Sequence, residues 1–243
     1  MPPLSDIDTD AIWQKHFREA IANEFQHSGI SPSEWTAYGK TRDNPTGQDG
    51  TYWSSLGPTL VREYAEWRRE TKWDLWVAPD GQLGNELELN VLLDGTKLKI
   101  IIDRVMWEPT DRQVVGTDNA ETTYDLVIVD AKTSKANPDS DLQLGLGAVA
   151  LEVAYGVRPT KGVYWMARKQ ALYYPRLDLS RYTVHMVSQM LGQFDRARKD
   201  GIYIPNPGSN CFTCSVGQFC AINGGLKASQ HDSLHVDYGK APQ

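Results

Sequence analysis

Apolar and polar positions along the chain change period more than once, and the changes separate helical from extended stretches. Over residues 8–28, Ile12, His16, Ala20 and Phe25 recur at helical spacing with Trp13, Phe17 and Ile21 beside them, which predicts an amphipathic helix. Ser31-Pro32-Ser33-Glu34 carries a helix-start signal, with Pro near the first turn. Residues 41–50 are turn material. A second long helix is expected over residues 56–72, opening near Gly57-Pro58, with Leu60, Tyr64 and Trp67 on one side. Arg62, Glu63, Glu66, Arg68, Arg69 and Glu70 form its polar complement, a solvated face with pairs such as Arg62–Glu66.

The period then becomes two. Glu86-Leu87-Glu88-Leu89-Asn90-Val91-Leu92-Leu93 alternates almost throughout and meets Asp94-Gly95, a strong two-residue hairpin turn. Residues 97–105 return as the second strand. A two-residue turn pairs Leu93 with Thr96, so Glu86 is expected opposite Asp103, with Glu88 on the diagonal of the same face. Residues 108–123 read as a loop with a short strand at Val114-Val115, and 124–132 as a strand buried on both faces. A helix over about 141–155 follows, with a core stripe of Leu142, Leu146, Val149 and Val153 and a small-residue stripe of Gln143, Gly147, Ala150 and Ala154. Residues 161–167 make a further strand, and this strand–helix–strand order implies a parallel pair. A last helix covers 181–199. The sum is an α/β protein: a central mixed sheet flanked by helices, with helical N- and C-terminal elaborations. One domain is expected, divided into a helical region 1–54, a core 55–170, and a C-terminal helix with a cysteine tail 171–243.

Composition narrows this picture. The 243 residues, 40% hydrophobic and 23% charged, are ordinary for a globular chain. No apolar run reaches the length of a membrane span, and Met1-Pro2-Pro3-Leu4-Ser5-Asp6 lacks the basic start of a signal peptide. A cytoplasmic protein of cellular or bacteriophage origin is expected. A net charge of −6 argues against bulk attraction to nucleic acid but leaves room for a local basic groove around an acidic centre. Three cysteines, Cys211, Cys214 and Cys220, are too few and too close for a disulfide framework and point to metal or iron–sulfur ligation, or to nothing.

The candidate chemistry lies in Asp130-Ala131-Lys132. Two residues apart on a strand, Asp130 and Lys132 face the same side. A carboxylate and an ammonium leaving a core strand together are costly unless paired or liganded. If strand 97–105 is a neighbour, Asp103 joins them, with Glu86 or Glu88 as an extra carboxylate and the Ala131 carbonyl as a further oxygen donor. Such hard ligands suit Mg²⁺ or Mn²⁺. Lys132 could orient or deprotonate a water, or neutralise charge on a phosphate. That is a parts list for phosphodiester hydrolysis.

Asp103, then Asp130-Ala131-Lys132-Thr133, then Gln143 on the following helix resembles the PD-(D/E)XK nuclease superfamily. The order is most similar to its RecB-like exonuclease branch, which includes CRISPR-associated RecB-like nucleases and the AddB nuclease domain. The resemblance covers about residues 55–170 and the cysteine tail. It implies a restriction-endonuclease-like core and a metal-dependent DNA nuclease, with exonuclease action on single strands or ends. Asp103 and Asp130 would be metal ligands, Lys132 the water-orienting group and Gln143 a positioning residue. The implied partners are DNA and a helicase or recombinase. Cys211-x2-Cys214-x5-Cys220 resembles the C-terminal half of that branch's iron–sulfur staple. No fourth cysteine exists upstream, where Thr41 stands near its place, so a cluster or a zinc ion would need another ligand such as His231 or His235. Other departures are Val61 and Arg62, with Glu66 one turn on, where the branch carries a helix His, Ile101 for a Gly, Gly147 for a Tyr, and a long gap from Asp103 to Asp130. A catalytically silent member that binds DNA or a protein on the same scaffold is the alternative. A receiver- or Rossmann-type enzyme would need regular β–α alternation and a Gly-rich phosphate loop, which the Asp94-Gly95 hairpin opposes.

Overall fold

A computed structural model describes residues 7–35, 39, 42, 45–113, 120–173, 175–202, 208, 211, 214, 217 and 220. The first helix, α1 (Thr9–Ser28), starts where Asp8 caps the amide of Ala11 and stops at Gly29, whose φ of 66° suits a residue without Cβ. Ser31–Glu34 does not open a long helix. It closes a capping box on a single 3₁₀ turn, Pro32–Glu34.

The second helix, α2 (Gly50–Glu70), begins earlier than the periodicity predicts, because Asp49 caps Tyr52 at 2.9 Å. Gly57-Pro58 therefore lies inside the helix. Its glycine has a packing reason: a Cβ at Gly57 would fall 1.9 Å from the Trp13 ring of α1.

The strands are β1 (Asp74–Leu75), β2 (Asn85–Leu93), β3 (Thr96–Gln113) and β4 (Ala120–Lys132), then, after helix α3 (Leu142–Tyr155), β5 (Lys161–Met166), β6 (Ala171–Leu172) and β7 (Leu177–Asp178). They form one seven-stranded mixed sheet in the order β1-β3-β4-β5-β6, with β2 pairing β3 and β7 pairing β5. Helix α4 (Val184–Lys199) follows. The expected hairpin is present: β2 ends at Leu93, β3 starts at Thr96, and Asp94 and Gly95 both have positive φ, 48° and 80°, as a type I′ turn requires. The expected parallel pair is β4 with β5, in the register Ile128↔Gly162 and Asp130↔Tyr164.

Residues 108–113 and 120–123 are not loop. They extend β3 and β4 into an antiparallel ribbon from Arg104↔Val129 to Gln113↔Ala120. Thr110 and Thr123 face each other in it, their hydroxyls 2.8 Å apart, a cross-strand bond that lets polar sequence hold strand structure. Val114-Val115 lies outside the described residues.

Both faces of β4 are covered. Val127 and Val129 join Leu60 of α2, Met106, Val163 and Trp165 in one cluster, and Trp67 stacks on Trp165 with centroids 4.8 Å apart. On the other face α3 packs on Ile128 and Ile102, so closely that a Cβ at Gly147 would lie 3.3 Å from Ile128. The buried stripe of α3 includes Leu144, Gly145, Gly147, Ala148 and Leu151, whereas Val153, expected in the core, is exposed. The stripe turns because Gly145 lets Tyr182 come close: a Cβ there would fall 2.3 Å from the Tyr182 ring. Gly145→Ala is expected to destabilise the fold by about 1–3 kcal/mol through overpacking, read as a lower urea midpoint with unchanged m-value.

Two compact units are present, Met1–Val91 with Lys97–Val184, and Leu92–Thr96 with His185–Gln243. The first holds both faces of the β4 core. In the second, α4 ends in Arg196, Arg198 and Lys199, with Arg198 and Lys199 each paired to Asp195. No helix among the described residues is long and apolar enough to cross a membrane.

Candidate active site

The site forms where the β3–β4 ladder runs out. Arg104↔Val129 is its last pair at this end. One residue beyond, the Asp103 side chain takes the place of a backbone partner: its Oδ2 accepts the Ala131 amide at 2.9 Å. A strand residue points its amide and carbonyl to the same edge, so the Ala131 carbonyl also leaves on the Asp103 side. The other edge of β4 is occupied by β5, with Ala131↔Trp165 and Lys132↔Met166 in register.

Asp130 and Lys132 share the face of Ile128, toward α3. Lys132 Nζ lies 2.7 Å from Asp130 Oδ2 and donates to Gln143 Oε1 at 3.0 Å. Gln143 is in the first turn of α3, so the helix that covers the sheet also positions the lysine. The four residues expected to act together, Asp103, Asp130, Lys132 and Gln143, are linked by these contacts. A narrow recess of about 10 Å³ lined by Ile102, Asp103, Asp130 and Gln143 lies among them. That is room for a single water, so a larger reactant must lie outside it.

The electrostatics are unusual for a surface pair. Asp130 is only 3% exposed, and its Oδ2 receives no aligned hydrogen bond despite the short contact with Lys132. Burial pushes its carboxyl above the ordinary range; Lys132 offsets part of this, and the Asp103 charge adds to it. Tyr164, opposite Asp130 on β5, donates to the Ser140 carbonyl at 2.7 Å. Burial, then the Asp130 charge, push its phenol up to about 12, so it stays protonated at neutral pH and is no general base.

The other expected ligands do not join. Glu88 is exposed, 2.9 Å from Lys99 and bonded by Asn90, and the Lys99 contact holds its carboxyl below the ordinary range. Glu86 is exposed with a φ of 49°, and the buried–exposed alternation of β2 begins at Leu87. Among the described residues, no group of three or more His, Cys, Asp or Glu could hold a metal ion. Among the described residues, the acids that these contacts bring together are Asp103 and Asp130.

Cys211, Cys214 and Cys220 are free thiols, and among the described residues they belong to no group of three or more metal-ligating side chains. Backbone amides bond Cys211 to the Gly208 carbonyl, Cys214 to Cys211, Gly217 to Cys214 and Cys220 to Gly217. The Gly208 amide donates to Cys211 Sγ at 3.3 Å. His231 and His235 lie outside the described residues.

At the position of the missing helix His, Arg62 pairs with Asp10 at 3.0 Å and Glu66 approaches Arg69 at 3.7 Å. The α2 residue that reaches the site is Tyr64: the Arg104 guanidinium lies 4.7 Å from its ring centroid, and its phenol feels the Asp103 charge. Tyr64, Arg104 and Tyr164 were not singled out by the sequence. Arg104 adjoins Asp103, a usable signal; Tyr164 is marked only by the parallel register.

No family model matches the chain. It is similar to the Gene 69 protein of Mycobacterium phage D29, 28% identical over 174 residues, which cover 69% of this chain and 59% of the relative. It is also similar to the Gene 69 protein of Mycobacterium phage L5, 26% identical over 191 residues, 69% of this chain and 61% of the relative. The chain thus spans about three fifths of the length of these relatives.

Proposed function

We propose that the protein is a divalent-metal-dependent DNA nuclease with a restriction-endonuclease-like core, an exonuclease in DNA recombination, repair or end processing, encoded by a bacteriophage. The observation that carries this reading is the convergence of Asp103, Asp130 and Lys132 through the bond from the Ala131 amide to Asp103. The mycobacteriophage relatives support the phage origin.

The donor set fits Mg²⁺ or Mn²⁺ in one respect that matters. Such ions take one or two carboxylates and complete their shell with water and phosphate oxygens, and Asp130 Oδ2 is a buried carboxylate oxygen that the Lys132 ammonium meets at 2.7 Å without an aligned hydrogen bond. Asp103, Asp130 and the Ala131 carbonyl are the groups that would hold the cation. When bound, it would supply Lewis-acid polarisation of a phosphate oxygen. Gln143, which lines the recess, holds the Lys132 ammonium, and Lys132 orients water and offsets negative charge on the phosphate.

Labelled single- and double-stranded DNA incubated with Mg²⁺, Mn²⁺ or EDTA tests the reading; cleavage is expected with either cation and none in EDTA. A second reading is a silent nuclease-fold protein that binds DNA or a protein partner. It is favoured by Lys132 closing directly on Asp130 and by the absence of a third acid among the described residues. DNA binding without cleavage under every cation would select it.

A further inference from the structure

Arg104 begins the β3–β4 ladder opposite Val129, so its side chain leaves on the α2 face, away from Asp130. There its guanidinium lies over the Tyr64 ring at 4.7 Å. It is half-buried, and among the described residues it makes no hydrogen bond or ion pair. Five N–H donors held on an aromatic platform without an acceptor are unusual. The carboxylates next to it do not fill the role: Asp103 is bonded to the Ala131 amide, and Asp130 contacts Lys132.

A second guanidinium is close by. Arg68 donates to the Trp73 carbonyl at 2.7 Å and lies 5.7 Å from the Trp67 ring, which in turn is 5.4 Å from Tyr64. Burial chiefly, and the Arg104 charge in addition, hold Arg68 below its ordinary value. Two cations sharing one aromatic cluster repel each other unless an anion lies between them. Guanidinium groups match phosphate geometry, and stacking on Tyr64 fixes the fork in advance.

We propose that Arg104, stacked on Tyr64 with Arg68 as its neighbour, is a phosphate-binding residue that anchors the sugar–phosphate backbone of a nucleic-acid strand beside Asp103. The position of the strand rests on the nuclease reading; the anion site does not. The contact is to phosphate, so it carries no base preference.

Binding of a labelled single-stranded oligonucleotide to the full chain in EDTA, over a series of salt concentrations, tests this apart from cleavage. Arg104→Ala is expected to weaken binding by roughly tenfold to a hundredfold, equally for oligonucleotides of different sequence. The salt slope should fall by about one, and Arg104→Lys should recover part of the loss. A merely structural arginine would change the melting temperature but not the salt slope. If Arg104→Ala does not fold, Arg104→Gln, which keeps a planar head on Tyr64 without the charge, is read in the same way. Wild-type affinity and slope in a folded Arg104 variant, or no oligonucleotide binding by the wild type, overturns the proposal. Weakened binding with no cleavage by the wild type leaves the anion site standing and removes the nuclease reading. Cleavage by the wild type that Arg104→Ala leaves unchanged does the reverse.

Discussion

Lys132→Ala is expected to lower the rate of DNA cleavage by about 10²- to 10⁴-fold, the range for losing a positioned acid–base or charge-stabilising group. The lysine is placed twice over, by Asp130 Oδ2 at 2.7 Å and Gln143 Oε1 at 3.0 Å, so its ammonium is fixed before substrate arrives. Truncation removes the charge and leaves Asp130 without its cation. Gln143→Ala removes only one of the two anchors and should give a smaller loss, in kcat more than in KM. The contrast is informative because the two residues touch. If Lys132 acts merely as a counter-ion for Asp130, the variant should cleave normally once cation is raised. A Lys132→Ala protein with undiminished turnover, contaminating nuclease excluded, rejects the proposed role. Single-turnover assays with excess enzyme keep substrate affinity out of the comparison.

The elements that were legible in the sequence are those whose cause is local. The Asp94-Gly95 turn needs two positive φ angles, and those residues provide them. Strand β4 and the parallel pair follow from an apolar run, a helix and a second apolar run. Elements held by distant partners were not legible. Residues 108–113 carry Pro109 and Asp111, turn-formers by propensity, yet extend β3 because β4 pairs with them. Gly57-Pro58 resembles a helix start, but its glycine answers to Trp13, 44 positions earlier in the chain. The active-site residues divide in the same way. Asp130 and Lys132 share a face through strand geometry alone. The bond from the Ala131 amide to Asp103 spans the whole β3–β4 ribbon, and no spacing rule shows it. Glu86 was placed by extending the register of an ideal hairpin, and its positive φ of 49° is a local feature that the alternation does not show. Glu88 was placed on the diagonal from Asp103 as a candidate carboxylate; it is exposed and meets Lys99.

Asp130→Asn should abolish cleavage and yet stabilise the cation-free protein. In the folded chain, burial raises the Asp130 carboxyl above its ordinary value of 3.8. Between that value and the raised one, the folded state holds more protons than the unfolded state, so stability falls as pH rises through the window. The loss is complete above the raised value and persists at neutral pH. Asn keeps a similar shape and carries no charge to desolvate, so it escapes the penalty. In EDTA at neutral pH, the variant should melt higher than the wild type by roughly 2–4 °C for each 1 kcal/mol recovered. Below the ordinary carboxylate range the two should converge. Asp80, Asp178 and Asp195 have lowered values and an opposite pH slope, but they are common to both proteins and cancel in the difference. Mg²⁺ or Mn²⁺ should then raise the wild-type melting temperature more than that of the variant, because binding to the folded state alone shifts the equilibrium toward it. Differential scanning calorimetry with and without cation measures all three quantities. An Asp130→Asn protein that melts lower than wild type in EDTA, and gains as much from the cation, would mean that Asp130 supports the sheet end through its contact with Lys132 and holds no metal.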